Sequence, residues 1–83
     1  MRGSAPSRTS SGKAVAARFG RNVRALRLAK GLTLREMADV IGLDKSTLSA
    51  VENGLSMPDP RRLPLFALRL GVTIDELFWG AEP

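Results

Sequence analysis

The stretch LREMADVIGLDKSTLSAVEN, from Leu34 to Asn53, decides the fold. Met37 and Ile41 lie one helical turn apart, and Leu48 and Val51 lie three residues apart, so two short helices can each turn an apolar stripe to one core. Between them, Gly42 follows the last apolar residue of the first helix. That is where a chain commonly turns through a left-handed conformation, which costs glycine little and a branched residue much more. Gly42 is therefore expected to be the elbow, with Leu43 filling the space beneath it. Two helices joined by so short a turn come close at one point, and Ala38 is small enough to stand there.

Both helix starts carry their own signals. Thr33 followed by Glu36 reads as a capping box, in which the hydroxyl accepts from the backbone at Glu36 and the carboxylate reaches back to the cap. Asp44 is placed to cap the second helix. Capping signals and glycine stops are common singly; their coincidence within twenty residues predicts a helix over about 34–41, a tight turn, and a second helix over about 45–53.

Upstream, Val15, Phe19, Val23 and Leu26 share one face and predict a helix from about Lys13 to Ala29, ended by Lys30 and Gly31. Downstream, LSMPDP (Leu55–Pro60) reads as a loop. Asp59 and Pro60 would ordinarily open a helix there, but Pro64 would remove a backbone donor inside it and crowd the preceding turn. The fourth helix is therefore expected to start near Leu63 or Pro64 and to stop at Gly71. Thr73 and Glu76 form a second capping box for a last helix through Trp79. The result is an all-α, five-helix domain with no strand. Leu63, Phe66, Ala67, Leu70, Ile74 and Leu77 are its expected core residues from the last two helices. Leu68, Phe78 and Trp79 are left over, either wrapping the edge of the core or meeting a second copy of the chain.

A chain of 83 residues, 43% of them hydrophobic, suffices for one domain with a modest core. It has no cysteine and no histidine. That excludes zinc fingers, thiol nucleophiles, disulfide staples and the commonest general base, so no metal and no cofactor are expected. Asp75 and Glu76 are adjacent carboxylates at a helix start, with no acid–base partner, phosphate loop or metal cluster beside them, and an enzyme is not expected. No apolar run reaches the roughly 18 residues of a membrane span, nor is there a secretory signal, so a cytoplasmic place is the default. The leading MRGS is of the kind an expression leader supplies, and residues 1–12 read as a loose basic arm before a domain over 13–80 and a tail of 81–83.

The net charge of +5 is unevenly spread. Residues 1–35 hold nine basic groups and no acidic one, whereas the remainder holds four basic and eight acidic. Such polarity suits a polyanionic partner on one side of the molecule.

On these residues the segment resembles the helix-turn-helix of the phage-repressor and Cro-like family, often called XRE-type. RALRLAKGLTLREMADVIGLDKSTLSAVENG (Arg24–Gly54) and LRLGVTIDELF (Leu68–Phe78) both match that family's phrasing, covering most of Phe19 to Phe78. The resemblance implies a lambda-repressor-like DNA-binding domain. It also implies a transcriptional regulator that binds double-stranded DNA as a homodimer and is associated with the nucleoid when bound. Arg27 and Glu52 correspond to an arginine and a glutamate that bridge in related domains, which implies a structural ion pair. The family's usual glutamine at the start of the first motif helix is here Leu34, which points to packing in place of that residue's phosphate contact.

The second motif helix is the candidate recognition helix, since an α-helix fits the major groove and presents side chains to base edges. With Leu48 and Val51 turned inward, Lys45, Ser46, Ser49 and Ala50 are the expected base readers. Lys45 can donate to guanine; the two serines discriminate little, and Ala50 can only touch a thymine methyl. Direct readout from this set is thin, which leaves a share of specificity to DNA shape. Thr33, Arg35, Thr47, Asn53, Arg61 and Arg62 are the expected phosphate contacts, while Ala38, Gly42, Leu48, Val51, Arg27 and Glu52 are structural. A different use of the same fold is a protein-interaction module, an antitoxin or adaptor gripping a partner through Leu68, Phe78 and Trp79.

Overall fold

The computed structural model describes residues 7–80; residues 1–6, including the MRGS expected as a leader, and residues 81–83, expected as a tail, lie outside the described residues. Five α-helices follow one another: α1 (Ser7–Ala29), α2 (Leu34–Ile41), α3 (Lys45–Glu52), α4 (Leu63–Leu70) and α5 (Ile74–Trp79). A 3-10 turn, Pro60–Arg62, leads into α4, and there is no strand among the described residues.

The boundaries of α2, α3 and α5 are set by the local signals. Thr33 and Glu36 exchange both bonds of a capping box at the head of α2, and Thr73 and Glu76 do the same for α5. Asp44 accepts from the Thr47 backbone at the head of α3, 3.0 Å away. Pro64 delays α4 as expected, and the residues before it are spent on the 3-10 turn that Asp59 caps.

The start of α1 corrects the sequence reading. The helix begins at Ser7, so residues 7–12, expected as part of a loose arm, are helical. Extending a helix that is already nucleated adds one backbone bond for each residue fixed, and serine and threonine tolerate this.

All five helices contribute to one core of fully buried side chains. It is built on Phe19 and Val23 of α1, Met37 and Ile41 of α2, Leu48 and Val51 of α3, Phe66 and Leu70 of α4, and Leu77 of α5. Ala38 is buried where α2 meets α3, as its size required. Two expected core residues stand further out: Val15 and Ile74 are exposed. Ala16, Phe19 and Val23 carry the burial on α1, and Leu77 with the half-buried Phe78 on α5. Of the three residues left over, Phe78 packs at the edge of the core. It is half-buried with its ring 4.9 Å from that of Phe19, while Leu68 and Trp79 do face out.

α1 and α3 touch most closely at Gly20. A Cβ at this position would meet the backbone oxygens of Val51 and Glu52, the latter at 2.7 Å. No side chain larger than hydrogen fits, so a residue in the middle of a long helix fixes how α3 lies on the domain. Along the other flank of α1, Asn22 donates to the Leu77 carbonyl at 3.0 Å and ties α5 down.

Candidate nucleic-acid interface

The turn between α2 and α3 is built around Gly42, whose φ of 79° lies in the left-handed region that glycine adopts without strain. The backbone N–H groups of Gly42 and Leu43 both donate to the Ala38 carbonyl at 2.9 Å, which closes the end of α2 and sends the chain into Asp44. With Leu48 and Val51 at 0% exposure, α3 is anchored along its whole inner face. What remains of its circumference is polar apart from Ala50.

On that outer side Lys45, Ser46 and Thr47 are exposed, and Ser49 and Ala50 are half-buried. Helical phase places Ser46, Ser49, Ala50 and Asn53 together on the outward face, flanked by Lys45. The four expected base readers therefore share one accessible surface. Asn53, expected at a phosphate, lies over the end of the same face and donates to the Ser49 hydroxyl at a long 3.4 Å.

The flanks differ from one another. At the head of α2, Arg35 is exposed, while the Thr33 hydroxyl and backbone N–H are both engaged with Glu36, at 3.0 and 2.8 Å. The capping box thus takes up the Thr33 groups that an anion would use and leaves the Leu34 and Arg35 amides at the helix end. Leu34 packs against the core, as its departure from glutamine suggested.

On the far side, the chain leaves α3 with the Leu55 amide donating to the Ala50 carbonyl and returns to the elbow. There, Arg62 Nη1 donates to the Ile41 carbonyl at 2.7 Å. Arg62, expected at a phosphate, is a brace between the start of α4 and the end of α2. Arg61 beside it is exposed and paired with Asp59, Nη2 to Oδ2 at 2.9 Å.

Three carboxylates stand at the helix starts along this surface, and each is held below the usual carboxylate range. The Thr33 backbone N–H, then its hydroxyl, does this for Glu36; the Thr47 hydroxyl and backbone N–H do it for Asp44; the Arg61 guanidinium does it for Asp59. The interface is therefore a mixed field. The basic residues of α1 also divide: Lys13 and Arg24 lie by helical phase on the flank that Gly20 turns to α3, whereas Arg18 is turned to α5, its guanidinium 5.5 Å from the Trp79 ring centre. Arg27 is buried and paired with Glu52, as the resemblance implied.

The sequence pattern of the HTH_3 helix-turn-helix family matches residues 23–77. The chain belongs to this XRE-type, Cro-like family. Among solved structures of the same fold is the restriction-modification controller protein C.AhdI from Aeromonas hydrophila. It is 35% identical, with 78% of this chain and 98% of that one covered and a TM-score of 0.72. The clp gene regulator ClgR from Corynebacterium glutamicum is 26% identical over 80% of this chain and 70% of its own, with a TM-score of 0.75. A curated relative, an HTH-type transcriptional regulator of Rickettsia conorii, is 36% identical over 64 residues, 77% of this chain. The chain spans about half the length of the curated relatives it matches. No helix among the described residues is long and apolar enough to cross a membrane.

Sequence reasoning passed over Gly20 and Asn22 and gave Arg62 a different role. Gly20 sets the seat of α3, and its signal was a glycine inside a helix, where it costs roughly 1 kcal/mol relative to alanine unless close packing requires it. Asn22 and the brace from Arg62 act through carbonyls 55 and 21 residues away in sequence, and nothing local announces either.

Proposed function

We propose that this protein is a sequence-specific regulator of transcription that lays α3 in the major groove of double-stranded DNA. The observation that carries the reading is the division of α3 into a sealed apolar side, Leu48 and Val51, and an open polar side led by Lys45, Ser46 and Thr47. A groove about 12 Å wide accepts such a helix, and the exposed Arg35 and Arg61 on either flank are set to meet the two backbones. Base discrimination falls to Lys45, Ser46, Ser49 and Ala50, and backbone attraction to Arg35, Thr47 and Arg61. The reading assigns the protein no chemical step and places it with the chromosome in the cytoplasm.

Two copies on half-sites about one helical turn apart fit this reading. Leu68 at 80% exposure and Trp79 at 61% are the apolar side chains available for their contact. The same exposure favours a second reading, an adaptor or antitoxin that holds another protein there; a stoichiometric partner that survives nuclease and high salt during purification would support it.

Gel-shift titration of genomic fragments against random duplex tests the main reading. A preference for particular fragments, weakening steeply with salt, is the expected result. Equal binding to every duplex, or none, contradicts it.

A further inference from the structure

The exposed arginine beside the brace to the elbow, Arg61, is already occupied. Asp59 Oδ1 accepts from the Arg61 backbone N–H at 2.9 Å, which caps the 3-10 turn, and also from Arg61 Nε at 3.2 Å. Oδ2 accepts from Arg61 Nη2 at 2.9 Å. Capping needs only the first of these bonds. The other two hold the guanidinium edge that a phosphate would take in a bidentate grip.

The pair lies next to the elbow of the motif, because Arg62 is bonded to the Ile41 carbonyl. Beside it is an open depression of about 370 Å³, lined by Asp59, Arg61, Arg62 and Leu65, with ample room for a phosphate group. The Arg61 side chain is 89% exposed, so it can swing away while Oδ1 goes on capping the backbone.

We propose that Asp59 is an internal competitor for the DNA backbone: it masks Arg61 in a neutral pair, lowers sequence-independent affinity, and so leaves a larger share of binding to the bases read by α3. This rests on the DNA-binding reading above. Whichever edge of Arg61 a phosphate approaches, the adjacent carboxylate offsets part of its attraction. Exposed ion pairs are weak, so the mask yields to a well-placed phosphate and tunes binding without blocking it.

The test is Asp59→Asn, which keeps the capping oxygen and removes the charge, measured by fluorescence anisotropy on a random-sequence duplex across a salt series. The variant should bind more tightly at low salt. With up to one more phosphate neutralised, its loss of affinity between about 50 and 200 mM salt should exceed the wild-type loss, by at most about three- to fourfold. Adding Arg61→Ala to the variant should abolish the gain. Asp59→Ser, another residue suited to capping, should behave like the asparagine variant and covers the case in which asparagine disturbs the turn. Unchanged or weaker binding by both variants overturns the proposal, as does a gain that persists without Arg61. If the wild-type protein binds no duplex at low salt, the DNA-binding reading falls first; if it binds and the variants match it, only the masking role falls.

Discussion

Arg27 and Glu52 join α1 to α3 through a two-pronged pair, Nε to Oε2 at 2.7 Å and Nη2 to Oε1 at 3.0 Å. The remaining nitrogen, Nη1, donates to the Leu32 carbonyl at 2.7 Å, so one guanidinium fastens the end of α1, the chain entering α2, and the end of α3. Both side chains are nearly inaccessible, at 7% and 2% exposure. Donating hydrogen bonds to the Glu52 carboxylate raises the arginine's affinity for its proton above the ordinary value, outweighing burial, which alone would lower it. The charged pair holds the seat of the recognition helix.

Arg27→Ala should therefore destabilise the fold by about 3–5 kcal/mol, because it leaves a buried carboxylate without its partner. Urea denaturation measures this directly. A loss too small to move the midpoint would mean that Glu52 finds water or another donor.

Two glycines on the same helix should respond to alanine with opposite signs. At Gly20 a methyl group meets backbone oxygens of α3, so Gly20→Ala should cost about 1–3 kcal/mol and weaken DNA binding by displacing α3. At Gly12 nothing lies within 4 Å, and Gly12→Ala should stabilise by up to about 1 kcal/mol. Thermal melting of both variants gives the comparison; equal shifts would contradict the close contact at Gly20.

Acid should loosen the helix starts. Glu36, Asp44 and Asp59 have depressed folded-state pKa values, so their contribution is present above the unfolded value of about 4 and is lost as pH falls through the lower folded values. The chain has no histidine or cysteine to titrate near neutrality. The melting temperature followed by circular dichroism should be flat from about pH 5.5 to 8 and decline below about pH 4. A transition centred near neutrality would contradict this.

Arg35 has a simpler role. Its removal should weaken every duplex alike and reduce the salt slope by about one, with melting unchanged. A loss confined to one sequence would make it a base reader.

The motif was legible because its signals are local. Thr33 with Glu36, Asp44, Gly42 and the Thr73–Glu76 pair each satisfy or terminate backbone bonds within a few residues, so α2, α3 and α5 could be bounded without knowing what they pack against. Periodicity gave the buried face of each helix but not which turns of that face a neighbour covers, and Val15 and Ile74 lie further out than expected. The start of α1 was hidden because serine, threonine and glycine serve an arm and an anchored helix equally well. At the interface, sequence could place Arg61 and Arg62 near DNA but could not tell them apart. One braces a carbonyl across 21 residues and the other is held by its neighbour Asp59, a distinction that only the tertiary fold makes.

The central claim is that the open side of α3 reads bases, and selection of bound sequences from a randomised duplex library tests it most directly. The wild-type protein should enrich a short motif, repeated with two-fold symmetry if two copies bind, and Lys45→Ala should change the preferred base at one position while leaving the melting temperature unaltered. Failure to enrich any motif, or an identical motif from Lys45→Ala and from alanine variants of Ser46 and Ser49, would contradict it.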